Sequence, residues 1–350
     1  MTPSARLLSL ATALPPHVVT QHEVAAEAEA VFATRYEEYE YIAPVFATAG
    51  VATRHAVRPI SWYVEPRGWP ERMGVYLEAA QDLFVAAAGQ ALAKAGLGGR
   101  DVDTVVTISS TGIATPSLEA RVFTRMGFRH DVMRVPVFGL GCAGGVTGLA
   151  IAARLAEARP GTNVLLVALE LCTLAFRLDE LTKANIVATA LFGDGAAACL
   201  LRAGEGGIAA VEGAGEHTWA DTLDVMGWSV DPQGFGVIFA RTIPPFVEDK
   251  MAPAVAGILD RMGLTIADVD RFVCHAGGTK VITALERALG VDAGALDHER
   301  HVLAECGNMS APTVLFVLER VMRMGLPHRC VLTAMGPGFT ASCLSLTNGA

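Results

Sequence analysis

The chain has 350 residues, of which 52% are hydrophobic and 18% charged, and its formal net charge is −9 at pH 7. So many apolar residues can fill a large core, and a charged share below the typical ~25% suggests that a subunit interface covers part of the surface. Because Lys and Arg never cluster in runs longer than two, the sequence argues against nucleic-acid binding.

The first half of the chain predicts alternating strands and helices. In chain order these are a strand and loop over 5–19, a helical region over 21–50, a polar aromatic loop over 56–73, a long helix over 74–95, a strand over 102–109 and a helix over 116–126. A charge-free stretch over 135–153 is long enough to cross a bilayer. Because it contains Pro136 and five glycines, we expect a buried strand, a tight turn and a buried helix instead of a membrane span.

The second half continues the alternation after a glycine-rich seam at residues 204–207. Two or three strands are predicted over 208–247, with turns at 231–232 and 244–245, followed by a helix over 251–262 and a strand over 272–275. Alternating strands and helices predict an α/β fold with mainly parallel sheets and helices on their faces.

A spaced repeat suggests that the chain is a duplication. Gly141-Cys142 is echoed 166 positions later by Gly307-Asn308, and each pair precedes a helix-like segment and a short strand-like run. Upstream, the Asp-Val-Asp at 101–103 is echoed at 268–270, an offset of 167. A near-constant offset at two places predicts a duplicated helix–strand unit. We therefore expect two pseudo-equivalent halves, 1–207 and 208–350, that share one active site.

Three side chains are the candidates for that site. Cys142 precedes a predicted helix, whose N-terminus favours a thiolate. His275 ends a strand, where ligand sites of parallel α/β sheets lie, and an imidazolium there would lower the thiol pKa. Asn308 occupies the position that matches Cys142, so that its amide and His275 could stabilise an oxyanion. The plain alternatives are a packing cysteine, a core histidine and an N-cap asparagine.

The remaining polar residues point to no other chemistry. Glu170, Asp194 and Asp224 form no obvious carboxylate dyad, so structural roles are expected for them. The seven cysteines contain no Cys-x-x-Cys pair, which argues against structural zinc and thioredoxin chemistry. We expect no metal, and the odd number of cysteines in apolar runs fits a reducing cytoplasm.

Several motifs, in order along nearly the whole chain, resemble the chalcone synthase superfamily, the type III polyketide synthases. They are the strings at 139–145 (GLGCAGG), 191–197 (LFGDGAA), 275–278 (HAGG), 307–310 (GNMS) and 335–340 (MGPGFT). Ketoacyl-ACP synthases III share Cys142, His275 and Asn308, but Met309 and Pro337 favour the polyketide branch. Ala334 departs from the plant pattern, which has glycine there.

The resemblance implies a thiolase-like, five-layer αβαβα fold built from two duplicated halves, in a homodimer. It also implies that Cys142 takes an acyl starter from coenzyme A as a thioester. His275 and Asn308 would stabilise the enolate that malonyl-CoA forms on losing carbon dioxide. That carbanion would attack the acyl group on Cys142 in repeated cycles before ring closure. Apart from acyl-CoA and malonyl-CoA as substrates, no cofactor is implied.

The resemblance also suggests which residues contact the substrate. Phe192 matches a gatekeeper between Cys142 and the entry tunnel, Val237 is the best match for a second gatekeeper, and Gly338 belongs to the last motif. Cys172 and Ala175 are small where plant members are larger or more polar at some positions. We therefore expect an aliphatic starter of medium or long chain and an alkylpyrone or alkylresorcinol product, unless Trp228 blocks the cavity.

Two further assignments follow from the resemblance. Thr115, also small, matches a residue that one subunit lends to the other, its plain alternative being a helix N-cap before Pro116. Arg54 and Arg58 match a segment that meets the coenzyme A pyrophosphate, their plain alternative being solvated surface arginines.

Two other activities share part of this pattern. A papain-like protease also has the order Cys, His, Asn, here with spacings of 133 and 33 residues. The missing Cys-Gly-Ser/Ala-Cys-Trp/Tyr signature and the internal duplication argue against it. A ketoacyl-ACP synthase III would condense only once and would accept malonyl-ACP.

Overall fold

A computed structural model describes residues 3–348, which form thirteen strands and thirteen α-helices. The strands are β1 Ala5–Ala13, β2 His17–Thr20, β3 Thr53–Ala56, β4 Thr104–Ile108, β5 Met133–Val137, β6 Asn163–Leu171, β7 Asp194–Ala203, β8 Ala209–Thr218, β9 Met226–Asp231, β10 Gly234–Phe239, β11 Arg271–Cys274, β12 Arg329–Gly336 and β13 Thr340–Thr347. The helices are α1 Gln21–Phe32, α2 Tyr39–Ile42, α3 Val45–Thr48, α4 Ile60–Tyr63, α5 Trp69–Lys94, α6 Leu118–Arg121, α7 Phe123–Met126, α8 Gly144–Ala158, α9 Lys183–Leu191, α10 Ile243–Asp260, α11 Thr279–Leu289, α12 Asp297–Cys306 and α13 Thr313–Met324.

Nine of these strands form one sheet in the order β11-β12-β13-β8-β1-β7-β6-β4-β5. Its two parts meet through a short β1–β8 contact, in which Arg6 faces Ala210 and Leu7 faces Ala209. The order β4-β6-β7-β1 in the first part is repeated as β11-β12-β13-β8 in the second, with the same strand directions. This repeated strand order agrees with the duplicated unit that the sequence predicts. The sheet is mixed, however, and not mainly parallel as expected, because β7 and β13 run against both of their neighbours.

The two parts of the large sheet differ at their outer ends. The first part ends in β5, which pairs in parallel with β4, whereas among the described residues the second part has no counterpart of β5 and its chain forms α12 at that point. The expected burial of the strand before Cys142 was wrong: β5 lies at the sheet edge, and all of its residues are at least partly exposed. An edge position also accounts for Pro136. Proline has no N–H group to donate to a neighbouring strand, and β5 has no further strand on its outer side.

The core has the layers of an αβαβα arrangement. Helices α8 and α13 pack together between the two parts of the sheet, α5 covers the outer face of the first part, and α10 and α11 cover that of the second. The first turn of α8 packs very closely, since a Cβ on Gly145 would lie 2.3 Å from the carbonyl oxygen of Ala311. This close approach holds the start of α8 against the segment that follows Asn308.

Proline explains two wrong element boundaries. Helix α5 begins at Trp69, before the expected residue 74, and Pro70 lies in its first turn. Pro244 and Pro245 open α10 instead of forming a turn. The first helical turn tolerates proline because its N–H groups have no partner within the helix. The expected helical regions over 21–50 and 116–126 are each broken into short helices. None of the helices described between residues 3 and 348 has the length and apolar character to span a membrane.

Candidate active site

Cys142 lies in a 3-10 turn, Gly141–Ala143, between β5 and α8. Gly141 has φ +49°, and a Cβ there would lie 2.6 Å from Cδ of Pro337. Only glycine fits such a backbone conformation against a proline ring. The turn that carries the thiol of the first half is therefore pressed against a loop of the second half.

Asn308 lies in the loop between α12 and α13, and the first half holds its backbone. Its N–H donates to the carbonyl of Leu191 at 2.8 Å, and its carbonyl accepts from the N–H of Gly193 at 3.0 Å. These two bonds form a parallel bridge between Phe192 and Asn308. Gly307 has φ +69°, and a Cβ there would lie 2.8 Å from the Leu191 carbonyl oxygen. Glycine thus permits the approach that makes the bridge.

The side chain of Asn308 is oriented from both ends. Its Oδ1 accepts from the N–H of Ser310 at 2.8 Å, and its Nδ2 donates to the carbonyl of Gly277 at 3.3 Å. A Cβ on Gly277 would lie 3.4 Å from Nε2 of His275. The imidazole of His275 therefore lies beside the glycine whose carbonyl the Asn308 amide binds.

His275 directly follows β11, and its N–H donates to the carbonyl of Thr333 on β12 at 2.8 Å. Among the described residues its Nδ1 is buried without a hydrogen-bond partner. Burial lowers the pKa of His275 to about 4. The ring therefore lies within the protein as a neutral imidazole near pH 7.

Cys142 and Asn308 line one cavity with an empty volume of about 490 Å³, part of it open to solvent. Ser310, Phe192, Trp228, Val237, Cys172 and Pro337 also line it. Burial raises the pKa of Cys142 to about 11, a hydrogen bond with the Ser310 hydroxyl acts in the opposite direction, and the charge of Glu170 adds to the increase. Burial thus opposes the thiolate and the imidazolium that the sequence analysis expected.

A second, mostly apolar cavity adjoins the first. It has an empty volume of about 680 Å³, which includes space open to solvent, and it shares Cys172, Phe192 and Val237 with the Cys142 cavity. Ala175 lines only this second cavity, and further walls come from apolar side chains of α1, α4 and α9, including Val24, Ala28, Val31, Ile60 and Ala188. An elongated apolar group bound near Cys142 could therefore extend into it.

Two predicted substrate-binding residues lie outside both cavities. Thr115 is exposed on the segment between β4 and α6 and lines neither cavity of its own chain. Gly338 lies next to Pro337, which does line the Cys142 cavity, and has φ +143°.

The geometry argues against Arg54 as a contact of the coenzyme A pyrophosphate. This residue is buried, and its guanidinium donates to the carbonyls of Thr189, Ala190 and Phe192 and to the side chain of Gln21. It supports the end of α9 and the position of Phe192. Arg58 is more accessible and forms a 2.6 Å ion pair with Glu78.

Sequence analysis gave no role to Ser310 and treated Trp228 only as a possible obstruction of the cavity. Ser310 donates its backbone N–H to Asn308, its side chain acts to lower the pKa of Cys142, and it has φ +58°, which is uncommon for a residue other than glycine. Its position two residues after Asn308, within a motif, was the available signal. Trp228 donates from Nε1 to the carbonyl of Ser110 at 2.9 Å and lines the Cys142 cavity but not the apolar one.

Glu170 is fully buried and joins β6 to the segment that follows β4. Its carboxylate accepts from the N–H of Ser110 at 2.9 Å and from the hydroxyl of Thr111 at 2.7 Å. Burial raises the pKa of Glu170 to about 8. Within residues 3–348, no group of histidine, cysteine and carboxylate side chains is arranged to hold a metal ion.

Comparisons with known proteins agree with this geometry. Family models described as the N-terminal and C-terminal domains of chalcone and stilbene synthases match residues 63–205 and 214–348. The chain is 38% identical to 1,3,6,8-tetrahydroxynaphthalene synthase of Streptomyces peucetius subsp. caesius, over 96% of this chain and 91% of that protein. It is 29% identical to the alpha-pyrone synthesis polyketide synthase-like Pks18 of Mycobacterium tuberculosis, over 97% and 90%.

Among solved structures, the chain is similar to 1,3,6,8-tetrahydroxynaphthalene synthase of Streptomyces coelicolor A3(2), a bacterial type III polyketide synthase. The TM-score is 0.92 and the identity 31%, over 98% of this chain and 99% of that one.

Proposed function

Because the chain belongs to the chalcone and stilbene synthase family, the type III polyketide synthases, we propose that Cys142, His275 and Asn308 catalyse its malonyl-CoA condensations on an aliphatic acyl-CoA starter. The comparisons confirm the thiolase-like fold and the condensing acyltransferase class predicted from the sequence. The observation that carries the residue roles is that Cys142 and Asn308 line the same cavity, while the Asn308 amide binds the carbonyl of Gly277, beside which His275 lies.

In the loading step, Sγ of Cys142 attacks the carbonyl carbon of the starter thioester and the bond to the coenzyme A sulfur breaks. The thiol proton passes to His275 and from there to the departing sulfur. Because burial favours the neutral forms of both groups, a transfer that follows the attack avoids an isolated charge in the resting site. The hydrogen bond of Ser310 to Cys142 supports the same step.

In the condensation step, malonyl-CoA loses carbon dioxide, and the electron pair of the broken bond moves into the thioester as an enolate. His275 and Asn308 donate hydrogen bonds to its oxygen, which is where such donors lower a barrier most. The enolate carbon then attacks the acyl carbon on Cys142, and the sulfur of Cys142 leaves. The long 3.3 Å bond from Asn308 Nδ2 to Gly277 supports this role, because a weak bond is easily exchanged for one to the substrate.

The apolar cavity supports the aliphatic starter. An acyl chain on Cys142 would pass Cys172, Phe192 and Val237, which border both cavities, and continue between α1, α4 and α9. Trp228 borders only the Cys142 cavity, so it leaves this route open. The names of the two relatives show that products differ within the family, a naphthalene in one and an alpha-pyrone in the other. For this chain we propose an alkylpyrone or alkylresorcinol.

A starter series tests this proposal. We expect purified protein with malonyl-CoA to give the highest kcat/KM with saturated acyl-CoAs of medium or long chain. Ala188→Phe, which fills the apolar cavity, should lower kcat/KM for long starters but leave that for acetyl-CoA unchanged. A preference for p-coumaroyl-CoA, for malonyl-CoA alone or for a single condensation with malonyl-ACP would contradict the aliphatic reading.

We also propose a homodimer that buries the β5 edge. Ile113, Met133 and Phe138 are 52%, 40% and 56% exposed, and exposed apolar side chains grouped near a strand edge favour pairing with another chain. Thr115 lies on the same segment as Ile113 and would reach the partner's cavity. Light scattering should give a dimer for the wild type and a monomer for Phe138→Glu.

The remaining assignments of the sequence analysis stay proposals. The boundary between the halves lies between residues 207 and 208, just before β8, and the repeated strand order supports it.

Of the two arginines proposed to contact the coenzyme A pyrophosphate, Arg58 is the remaining candidate, and Arg58→Ala should raise the KM for malonyl-CoA. We propose that coenzyme A thioesters are the only small molecules required and that the enzyme works in the cytoplasm.

A further inference from the structure

The strand β11, which His275 directly follows, has a neighbouring strand on one side only. It has four residues, lies at the edge of the sheet and pairs with β12. The N–H of His275 points to β12, where it donates to Thr333. Because successive residues of a strand turn their N–H groups to opposite sides, the N–H of Cys274 points to the open edge.

Glu299 of α12 occupies that edge. Its Oε1 accepts from the N–H of Cys274 at 2.9 Å, and its Oε2 accepts from Nη2 of Arg271 at 3.0 Å. Glu299 and Cys274 are both fully buried, so water cannot replace the carboxylate as an acceptor. One side chain therefore fastens both ends of β11.

We propose that Glu299 is a positioning residue for His275. The segment after His275 is Ala276-Gly277-Gly278, which gives the backbone little stiffness before α11 begins at Thr279. With the Cys274 N–H fixed by Glu299 and the His275 N–H fixed by Thr333, the two residues are held from opposite sides. This sets the direction of the imidazole and also of the Gly277 carbonyl that Asn308 binds. The functional part of the inference rests on the proposed role of His275.

The first half shows why this residue is needed. Its strand β4, which corresponds to β11, is bonded by β6 on one side and β5 on the other. In the second half, α12 takes the place of a fifth strand, and a helix offers no free backbone acceptors along its side. The carboxylate of Glu299 supplies the acceptor that a neighbouring strand would supply.

Glu286 provides a matched control. It is also a buried carboxylate that accepts from two backbone N–H groups, those of Gly294 and Leu296, and it pairs with Arg300. It lies on α11, and neither of those N–H groups belongs to β11. Its removal should therefore cost stability without releasing His275.

The experiment compares Glu299→Ala, Glu299→Gln and Glu286→Ala as full-length proteins, with rates expressed per folded enzyme. We expect Glu299→Ala to lower kcat for malonyl-CoA decarboxylation about tenfold or more, because small misplacements of a catalytic group are costly, with KM nearly unchanged. Glu299→Gln keeps an acceptor for Cys274 and should recover most of the rate. Glu286→Ala should keep the wild-type kcat.

A second readout does not depend on activity. The ring signals of His275 in NMR spectra, assigned with His275→Gln, should move in Glu299→Ala and stay in place in Glu286→Ala. Equal rates and equal ring signals in the two alanine variants would overturn the inference. If Glu299→Ala does not fold, Glu299→Gln takes its place, and unchanged ring signals together with an unchanged rate in that variant would overturn the inference. A wild type without decarboxylation or condensation would instead overturn the proposed function, while the ring signals would still test the positioning.

Discussion

The two halves of the molecule repeat the same strand order but reach their active-site loops in different ways. In the first half an edge strand, β5, leads to Cys142, and in the second half a helix, α12, leads to Asn308. The strand leaves an open, partly apolar edge that can meet another subunit. The helix closes its edge and brings a buried carboxylate, Glu299, to the strand of His275. The two halves thus share their strand order, and they differ in the segment before each loop, which is the strand β5 before Cys142 and the helix α12 before Asn308.

The halves also hold one another's loops. The Cys142 turn is pressed against Pro337 of the second half, and the Asn308 loop is bonded to Leu191 and Gly193 of the first. Neither loop is shaped by its own half alone. The comparison therefore teaches that the candidate site lies at the contact between the halves, with the Cys142 thiol supplied by one half and the Asn308 amide by the other.

Removing the Cys142 thiol should have the largest effect on activity and should separate the roles proposed for the two halves. We expect Cys142→Ala to abolish condensation, because no acyl-enzyme can form, a loss of about 10⁴-fold or more. Decarboxylation of malonyl-CoA should continue, since it needs only the donors of the second half. Product analysis for polyketides and for acetyl-CoA measures both. If decarboxylation is lost as well, the division of labour between the halves is wrong.

Removing the amide should give the opposite result. Asn308→Ala is expected to lower decarboxylation by about 10²- to 10³-fold, the usual cost of an oxyanion donor. The alkylation rate of Cys142 by iodoacetamide should stay close to that of the wild type, because Ser310 keeps its hydroxyl. A large fall in alkylation would mean that Asn308 acts on the nucleophile instead.

The reciprocal packing of the loops can be measured with two glycine substitutions. Gly307→Ala would place a Cβ 2.8 Å from a backbone carbonyl at φ +69°, and we expect a loss of about 3 kcal/mol in the free energy of unfolding. Gly141→Ala would place a Cβ 2.6 Å from the ring of Pro337 at φ +49°, and we expect a smaller loss, about 2 kcal/mol, because the atoms that it meets are ring carbons and not a backbone carbonyl.

Gly96 is the control for both substitutions, because it has φ +68° and no atom within 4 Å of an added Cβ. Gly96→Ala isolates the backbone strain, expected at about 1 kcal/mol. Urea unfolding curves measure all three. Losses no larger at 307 and 141 than at 96 would show that the loops are not packed against each other.

The smallest expected effect concerns the buried carboxylate of the first half. Burial raises the pKa of Glu170 from 4.5 to about 8, so the folded state binds its proton more tightly than the unfolded state. The stability from this proton is complete below about pH 4.5 and is lost as the pH rises towards about 8. Glu170→Gln has no such loss. The free energy of unfolding of Glu170→Gln minus that of the wild type should therefore rise by roughly 1 kcal/mol between about pH 6 and pH 7. If this difference does not change with pH, the pKa of Glu170 is not raised.

Much of this arrangement could be predicted from the sequence. The repeat of Gly141-Cys142 as Gly307-Asn308 indicated a duplicated unit, because glycine at the same point of both copies marks the same tight backbone. The motifs were enough to indicate the family, which the comparisons confirm. The roles of Cys142, His275 and Asn308 remain predictions. The shared cavity supports those of Cys142 and Asn308, and the position of His275 beside Gly277 supports its own.

What the sequence could not predict depends on contacts between distant segments. Arg54 was expected at the surface, but carbonyl groups of residues 189, 190 and 192 surround its guanidinium, and no local pattern signals such burial. The strand β5 looked buried because residues 135–137 begin a charge-free stretch, yet its position at the sheet edge is set by strand order. The expected low thiol pKa rested on the helix start and overlooked the burial of the Cys142 side chain, which raises that pKa.

The bridge between Phe192 and Asn308 has a consequence for anyone who redesigns this enzyme. Since two backbone hydrogen bonds tie the segment around Phe192, the proposed gatekeeper, to Asn308, the proposed hydrogen-bond donor, we expect that exchanging this whole segment for that of a relative would displace Asn308 as well. Side-chain changes at Cys172 or Val237, which border both cavities and take no part in the bridge, should change the choice of starter and leave Asn308 in place. New substrates are therefore best sought at these two positions.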